Sequence, residues 1–185
     1  MNDTYQLYDE QGRPKEDRYV TKDDIFKKGE LHGASHVWIW RIQNDAIEVL
    51  LQKRSPEKRT WPNRYDISAA GHINAGEEPL VAALRETKEE IGTDVKPEEL
   101  TNIGVRRAHM VTSKGLIENE FQWLYLLRME GDPSFVIQDD EVASLLWKTI
   151  DQIRADLRDA PDTYVPHATL YYDTVLHAIE SAAKN

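Results

Sequence analysis

Three glutamates, Glu86, Glu89 and Glu90, stand at spacings of three and four within GHINAGEEPLVAALRETKEEIGT, the stretch from Gly71 to Thr93. At 3.6 residues per turn they gather on one side of a helix, while Leu80, Leu84, Thr87 and Ile91 fall on the other. Carboxylates on adjacent turns repel, and a Glu86/Glu90 pair at i,i+4 weakens an isolated helix by roughly 0.2 to 0.5 kcal/mol. A hard divalent cation would offset that repulsion. Carboxylate oxygens are its preferred ligands, and Mg²⁺ fills its other positions with water and substrate phosphate oxygens. Such an ion neutralises phosphate charge and lowers the pKa of a bound water, so hydrolysis of a diphosphate is the chemistry these residues suit. The same acids would equally make an ordinary solvated helix face. Gly71, Gly76 and Gly92 decide little between the two, because glycines end many helices.

Two further groups could join such a site. Arg54, Lys58, Arg59 and Arg64 lie in and beside the loop SPEKRTWPNR and are the densest positive charge in an acidic chain, useful to a polyphosphate although each alone would suit a solvated connection. Glu118 and Glu120 project to the same side at the start of a strand running to Arg128, where they could serve a site or protect a sheet edge. His36, His109, His167 and His177 suggest no partner.

The elements that would position these residues alternate strand and helix. Tyr5–Tyr8 reads as a strand closed by a turn over residues 9–12, followed by a charged connection through Arg18. Thr21-Lys22-Asp23-Asp24 has the form of a capping box for a short helix ending near Gly29. Residues 35–42 and 47–52 read as a hairpin about 43–46, residues 66–70 as a short strand, and residues 102–110 and 118–128 as long strands. An acidic cluster, Asp139-Asp140-Glu141, precedes an apolar run, and helical patterns follow around 152–158 and 167–183. Trp38, Trp40, Trp123 and Tyr125 read as core rather than as a base-stacking platform. A mixed sheet covered by helices, an α/β protein, fits this order better than a bundle or an all-β sandwich.

The chain as a whole narrows the partners. Its 185 residues suit one domain, with a core at about 30–151, an N-terminal strand and helix, and a C-terminal helical extension. With 33 acidic against 23 basic residues and a formal charge of -10, it does not suit a nucleic acid polymer. The absence of cysteine excludes disulfides, thiolate metal sites and a cysteine nucleophile. The start is polar and acidic, and no apolar run is long enough for a bilayer, so the expectation is a cytoplasmic protein, monomer or homodimer, without a membrane partner.

Gly71, five residues, Glu77, seven residues, then Arg85-Glu86-Thr87-Lys88-Glu89-Glu90-Ile91-Gly92-Thr93 resembles the Nudix box of the Nudix hydrolase family. Every position of fixed identity is filled, and Thr87 and Thr93 stand where the family usually has aliphatic residues. The resemblance implies an α/β/α sandwich and a divalent-metal-dependent hydrolase of a small-molecule diphosphate, a nucleoside diphosphate derivative. It implies Mg²⁺, with Mn²⁺ an alternative, held by Glu86, Glu89 and Glu90. Glu77 and Arg85 would brace the loop, with Gly71 and Gly92 as structural positions. The proton of the attacking water would go to a carboxylate, Glu120 first and Glu89 second, so that Glu89, Glu90 and Glu120 form the catalytic set.

Around the box, WPNRYDISAAGHINAGE from Trp61 is similar to the isopentenyl diphosphate isomerases and the hydrolases most like them. His32, His72, Glu118 and Glu120 match the isomerase metal site, while Ile25 stands roughly where a further metal histidine would be. Ala70 stands where the isomerase has its catalytic cysteine, and alanine cannot move a proton. The expectation is therefore a hydrolase on an isomerase-like frame. A sensing module that kept the fold and lost its chemistry would show a degenerate box, and this box keeps its acids.

Overall fold

The structure, a computed structural model, describes residues 4–137 and 141–184; Asp139 and Asp140 of the acidic cluster lie outside them. In chain order the elements are β1 (Thr4–Tyr8), β2 (Pro14–Thr21), α1 (Lys22–Lys28), β3 (His32–Gln43), β4 (Ala46–Arg54), β5 (Tyr65–Asp66) and β6 (Ala69–His72). There follow α2 (Pro79–Ile91), β7 (Leu100–Val111), β8 (Ile117–Arg128), β9 (Val142–Thr149), α3 (Ile150–Asp159) and α4 (Thr169–Ala182).

β3 is the hub. Along residues 32–40 it runs parallel to β8, and it pairs antiparallel with β6 over 34–37 and with β4 over 40–43. β7 pairs with β8, and β9 and β5 with β4, which makes the sheet mixed. Asn44 and Asp45 both take positive φ, 48° and 61°, the conformation a two-residue hairpin between twisted strands requires.

Because successive side chains of a strand alternate, the aromatic stripe divides between the two faces. Trp38, Trp40, Leu124 and Leu126 pack with Ile153 of α3 and Val175, Leu176 and Ile179 of α4. Val37, Ile39, Tyr125 and Leu127, with Trp123 beside them, pack against Ala83 and Ile91 of α2. The result is an α/β/α sandwich, and α4 supplies about a third of the buried residues of its larger core, so the C-terminal helical extension packs on the sheet. Among the described residues no helix is long and apolar enough to cross a membrane.

The charged connection expected through Arg18 is instead largely strand, β2, which covers β1 by antiparallel pairing. Residues 66–70, expected as one strand, are two short ones, because the chain crosses there from β4 to β3. Ser68 bridges the crossing: its hydroxyl donates to the Leu50 carbonyl (2.6 Å) and accepts from the Ile39 N–H (2.8 Å). Helix α1 lies where the capping pattern placed it and ends in a left-handed Gly29, but the Thr21 side chain caps nothing.

Candidate active site

The register of three strands lays out the floor of the site. Across β8, β3 and β6, Glu120 stands beside His32, Gln122 beside Ala34 and Ala34 beside His72, then Leu124 beside His36 and His36 beside Ala70. Residues paired across a ladder share a face, so this row lies on the face that α3 and α4 cover further along. There it floors a cavity of about 550 Å³. At Glu120 β8 is flanked by β3 and β7, so that carboxylate protects no edge; Glu118 and Glu120 are 8% and 7% exposed in the cavity wall.

Helix α2 lies on the opposite face, and its carboxylates reach the cavity past the short strand β6. Pro79 opens the helix at its first turn and a left-handed Gly92 closes it, donating its N–H to the Lys88 carbonyl. Glu90, on the acidic face of the helix with Glu86 and Glu89, is only 3% exposed. Its Oε2 accepts from the Ala70 N–H (2.9 Å) and from the Gln52 amide (3.2 Å). Burial, only partly opposed by Lys58 and reinforced by Glu86, pushes the Glu90 pKa up to about 7. Glu86 is raised too, by burial first, although Arg85 opposes it. Both shifts mark carboxylates that lack enough positive charge. Thr87, at an aliphatic position of the family pattern, is buried with its hydroxyl donating to the Ala83 carbonyl (2.7 Å), so the departure leaves no unpaired group.

Arg85 and Glu77 meet in a two-bonded pair, Nε to Oε1 and Nη2 to Oε2, each 2.9 Å. Arg85 also donates to the His72 carbonyl (2.9 Å), to Glu86 (2.5 Å) and to Glu89 (3.0 Å). Gly71 is set by close approach, since a Cβ there would run into the Glu86 carboxylate. Gly71→Ala should therefore displace Glu86 and lower activity about 100-fold. Its melting temperature should fall by only a few degrees; wild-type turnover in this variant would show that Glu86 has no fixed seat.

Beside the cavity His32, His72 and Glu120 bring one ligand atom each within 4.8 Å of one another. His32 Nδ1 lies 2.8 Å from the Glu30 carbonyl and so carries a hydrogen, while its Nε2, buried without a hydrogen-bond partner, faces Glu120 Oε1 at 3.3 Å. His72 Nε2 faces the same oxygen at 3.6 Å. A ring nitrogen fixed by a backbone carbonyl behind it and turned toward a carboxylate in front suits a cation ligand. Burial holds the His72 pKa down to about 4. Burial works against ionised Glu120 as well, but the two imidazoles outweigh it and hold its pKa well below the ordinary value. Glu118 is not in the cluster: it pairs with Met110 beyond the point where β3 and β8 part. Burial and then Glu120 raise its pKa.

The cations of the basic loop already have partners. Arg54 pairs with Asp66 (2.9 Å), Lys58 with Glu141 and Arg59 with Asp23. These three line the cavity, and burial lowers the Lys58 pKa despite nearby Glu90. Arg64 does not line it; its guanidinium stacks on Trp61 and donates to the Tyr164 carbonyl (3.0 Å).

Sequence reading missed one part of the cavity, lined by His36 and His167. There His36 Nδ1 lies 2.8 Å from the Tyr171 hydroxyl, and His167 Nε2 lies 3.0 Å from Asp66 Oδ1. The period-two pattern of β3 could have shown His36 sharing a face with His32, but the partners arrive from over 130 residues away.

Residues 32–168 match the NUDIX domain family. An uncharacterized Nudix hydrolase of Clostridium acetobutylicum is 31% identical over 185 residues, spanning 86% of this chain and 89% of that protein. An isopentenyl-diphosphate delta-isomerase of Aliivibrio fischeri is 31% identical over 160 residues, spanning 85% and 88%. A crystal structure of a Deinococcus radiodurans protein shares the fold with a TM-score of 0.66 at 17% identity, over 96% of this chain and 98% of that one. The chain belongs to the Nudix family, and its filled box on this sandwich is that of a Nudix-type pyrophosphohydrolase.

Proposed function

We propose that the protein hydrolyses a diphosphate bond in a nucleoside diphosphate derivative and that it requires Mg²⁺, with Mn²⁺ able to substitute. The observation that carries this reading is the convergence of two acidic groups on one cavity: Glu86, Glu89 and Glu90 from α2, and Glu120 and His72 from the sheet, with buried His32 beside them. A cation bound at these carboxylates would supply charge neutralisation for the phosphates and a bound water of lowered pKa.

The chain's own residues do the rest. Lys58 and Arg59 line the same cavity and can exchange their carboxylate partners for phosphate oxygens. Arg85 holds Glu86 and Glu89 in place. Glu120, ionised and inside the cavity, takes the proton of the attacking water. Glu89 is the weaker choice for that role, because it is half exposed and already bound to Arg85.

A second reading, isomerisation of a prenyl diphosphate, draws on the isomerase relatives and on the His32, His72 and Glu120 cluster. Against it stands Ala70, a methyl group in the cavity wall, which leaves the double-bond shift without one of its two proton-transfer groups. Incorporation of solvent deuterium into isopentenyl diphosphate would revive it.

Release of cleavage products from nucleotides, sugar nucleotides and prenyl diphosphates, as two phosphomonoesters from each sugar nucleotide or as a monoester and inorganic phosphate from a terminal diphosphate, with Mg²⁺ or Mn²⁺ and with chelator, tests the first reading. Turnover is expected from the nucleoside compounds, lost in chelator. No release from any of them with either metal would overturn it.

A further inference from the structure

The part of the cavity lined by His36 and His167 holds hydrogen-bonding capacity that the diphosphate chemistry does not use. Trp38 Nε1–H can only donate, and it donates to the Tyr171 oxygen (2.9 Å). The single Tyr171 hydroxyl hydrogen is then left for His36 Nδ1 at 2.8 Å. His36, kept neutral by burial, therefore carries its own hydrogen on Nε2, a donor of fixed direction.

Gln122 commits its amide nitrogen to Glu120 (2.8 Å), which leaves Oε1 buried without a partner. His167 binds Asp66 through Nε2, and its Nδ1 is likewise buried without a partner. Asp66 is itself held by Arg54, which fixes the ring of His167. His36, Gln122 and His167 all line the cavity, and the floor between them is Ala34 and Ala70. Two methyl groups leave room there. The walls offer hydrogen bonds.

We propose that this recess is the subsite for the group esterified to the diphosphate, and that His36, Gln122 and His167 select a hydroxylated nucleoside or sugar over a hydrocarbon chain. The proposal rests on the hydrolase reading of the same cleft. A prenyl chain in the recess would seal these polar atoms from water without replacing their bonds, which is costly. A hydroxylated ring offers both donors and acceptors. Sites built to hydrogen-bond a substrate discriminate strongly against analogues that lack the matching group. Substrate choice would then lie partly with Val165 and His167, which line the recess from outside the box and the sheet.

Calorimetry with Ca²⁺ in place of Mg²⁺, to slow turnover, compares binding of ADP-ribose and isopentenyl diphosphate. ADP-ribose should bind at least about tenfold tighter. His167→Phe, which keeps the ring and removes both nitrogens, should narrow the ratio about fivefold, with little change in circular dichroism or melting temperature. Gln122→Met tests the opposite wall in the same way should the first variant fold poorly. Equal binding of the two ligands by the unaltered protein, or a ratio that neither variant moves, would overturn the subsite. Failure of the hydrolase reading shows differently, as an intact ADP-ribose preference with neither a phosphomonoester nor free phosphate formed from any diphosphate.

Discussion

Glu90→Gln should yield a protein that is nearly inactive and at the same time harder to unfold in the absence of divalent cations. Glu90 is 3% exposed, and its pKa is pushed up to about 7 by burial first and Glu86 after it. The unfolded chain gives up this proton near pH 4.5, the folded protein only near 7, so folding retains a proton across that window. Stability from this group therefore falls as pH rises from about 4.5 to about 7 and stays low above it. The loss by pH 8 is a few kcal/mol, at about 1.4 kcal/mol per unit. Glutamine keeps an oxygen for the Ala70 N–H and the Gln52 amide but has no charge to bury.

Melting curves in chelator from pH 5 to 8 should thus slope downward for the unaltered protein and less steeply for the variant. Some slope should persist, because Glu86 and Glu118 are also raised by burial. Adding Mg²⁺ or Mn²⁺ should restore the unaltered protein by mass action and do much less for Glu90→Gln. Activity should fall about 1000-fold if Glu90 holds the cation beside the reacting phosphate. A variant as active as the parent would remove Glu90 from the site. A variant less stable than the parent at pH 8 in chelator would show that its charge is already compensated. An acid kept where it weakens the fold is the expected signature of a site that trades stability for binding.

How far the sequence foretells such features depends on how local they are. The box was legible because its information is contained in one loop and one helix: Gly71 to admit Glu86, Pro79 and Gly92 to bound the helix, and glutamates spaced by a helical turn. The face of β8 carrying Glu118, Glu120 and Gln122 was legible because strand periodicity is equally local. The burial of Glu90 was not. A helical wheel places it with Glu86 and Glu89, and only the passage of β6 beside α2 brings the Ala70 N–H onto its carboxylate.

Long-range partnerships were hidden for the same reason. The basic loop looked like four free cations, yet Arg59 is held by Asp23 from α1, and Arg64 turns to the carbonyl of Tyr164. Likewise His36 and His167 suggested no role in isolation, although their rings are 5.9 Å apart once α4 closes the sheet. The C-terminal helices carried a clear helical pattern but no motif. Their contribution is burial against Trp38 and Leu124, which pattern alone does not assign to a face.

Arg85→Lys should be among the most damaging conservative substitutions in the chain, although Arg85 touches the proposed reacting groups only through other residues. Its guanidinium makes two parallel bonds to Glu77 and single bonds to Glu86, Glu89 and the His72 carbonyl. A lysine ammonium is a point donor that cannot span the Glu77 carboxylate and reach the other three at once. The Glu77 carboxylate is only 11% exposed and also accepts the Asn74 N–H (2.9 Å), so half-breaking its pair leaves a buried charge. The expected loss is about 2 to 4 kcal/mol, toward the lower end of what breaking a buried pair costs, because Arg85 itself is a quarter exposed. Glu86 and Glu89 would also lose their common anchor. A shift of about 1 Å in either should cost about 100-fold in kcat/KM, even at a temperature where the variant is fully folded. Urea unfolding and turnover at 15 °C separate the two effects. If stability falls while low-temperature turnover survives, Arg85 braces the loop alone. If both fall, and Glu77→Gln reproduces the stability loss with a smaller loss of turnover, Arg85 also sets the carboxylates that hold the cation.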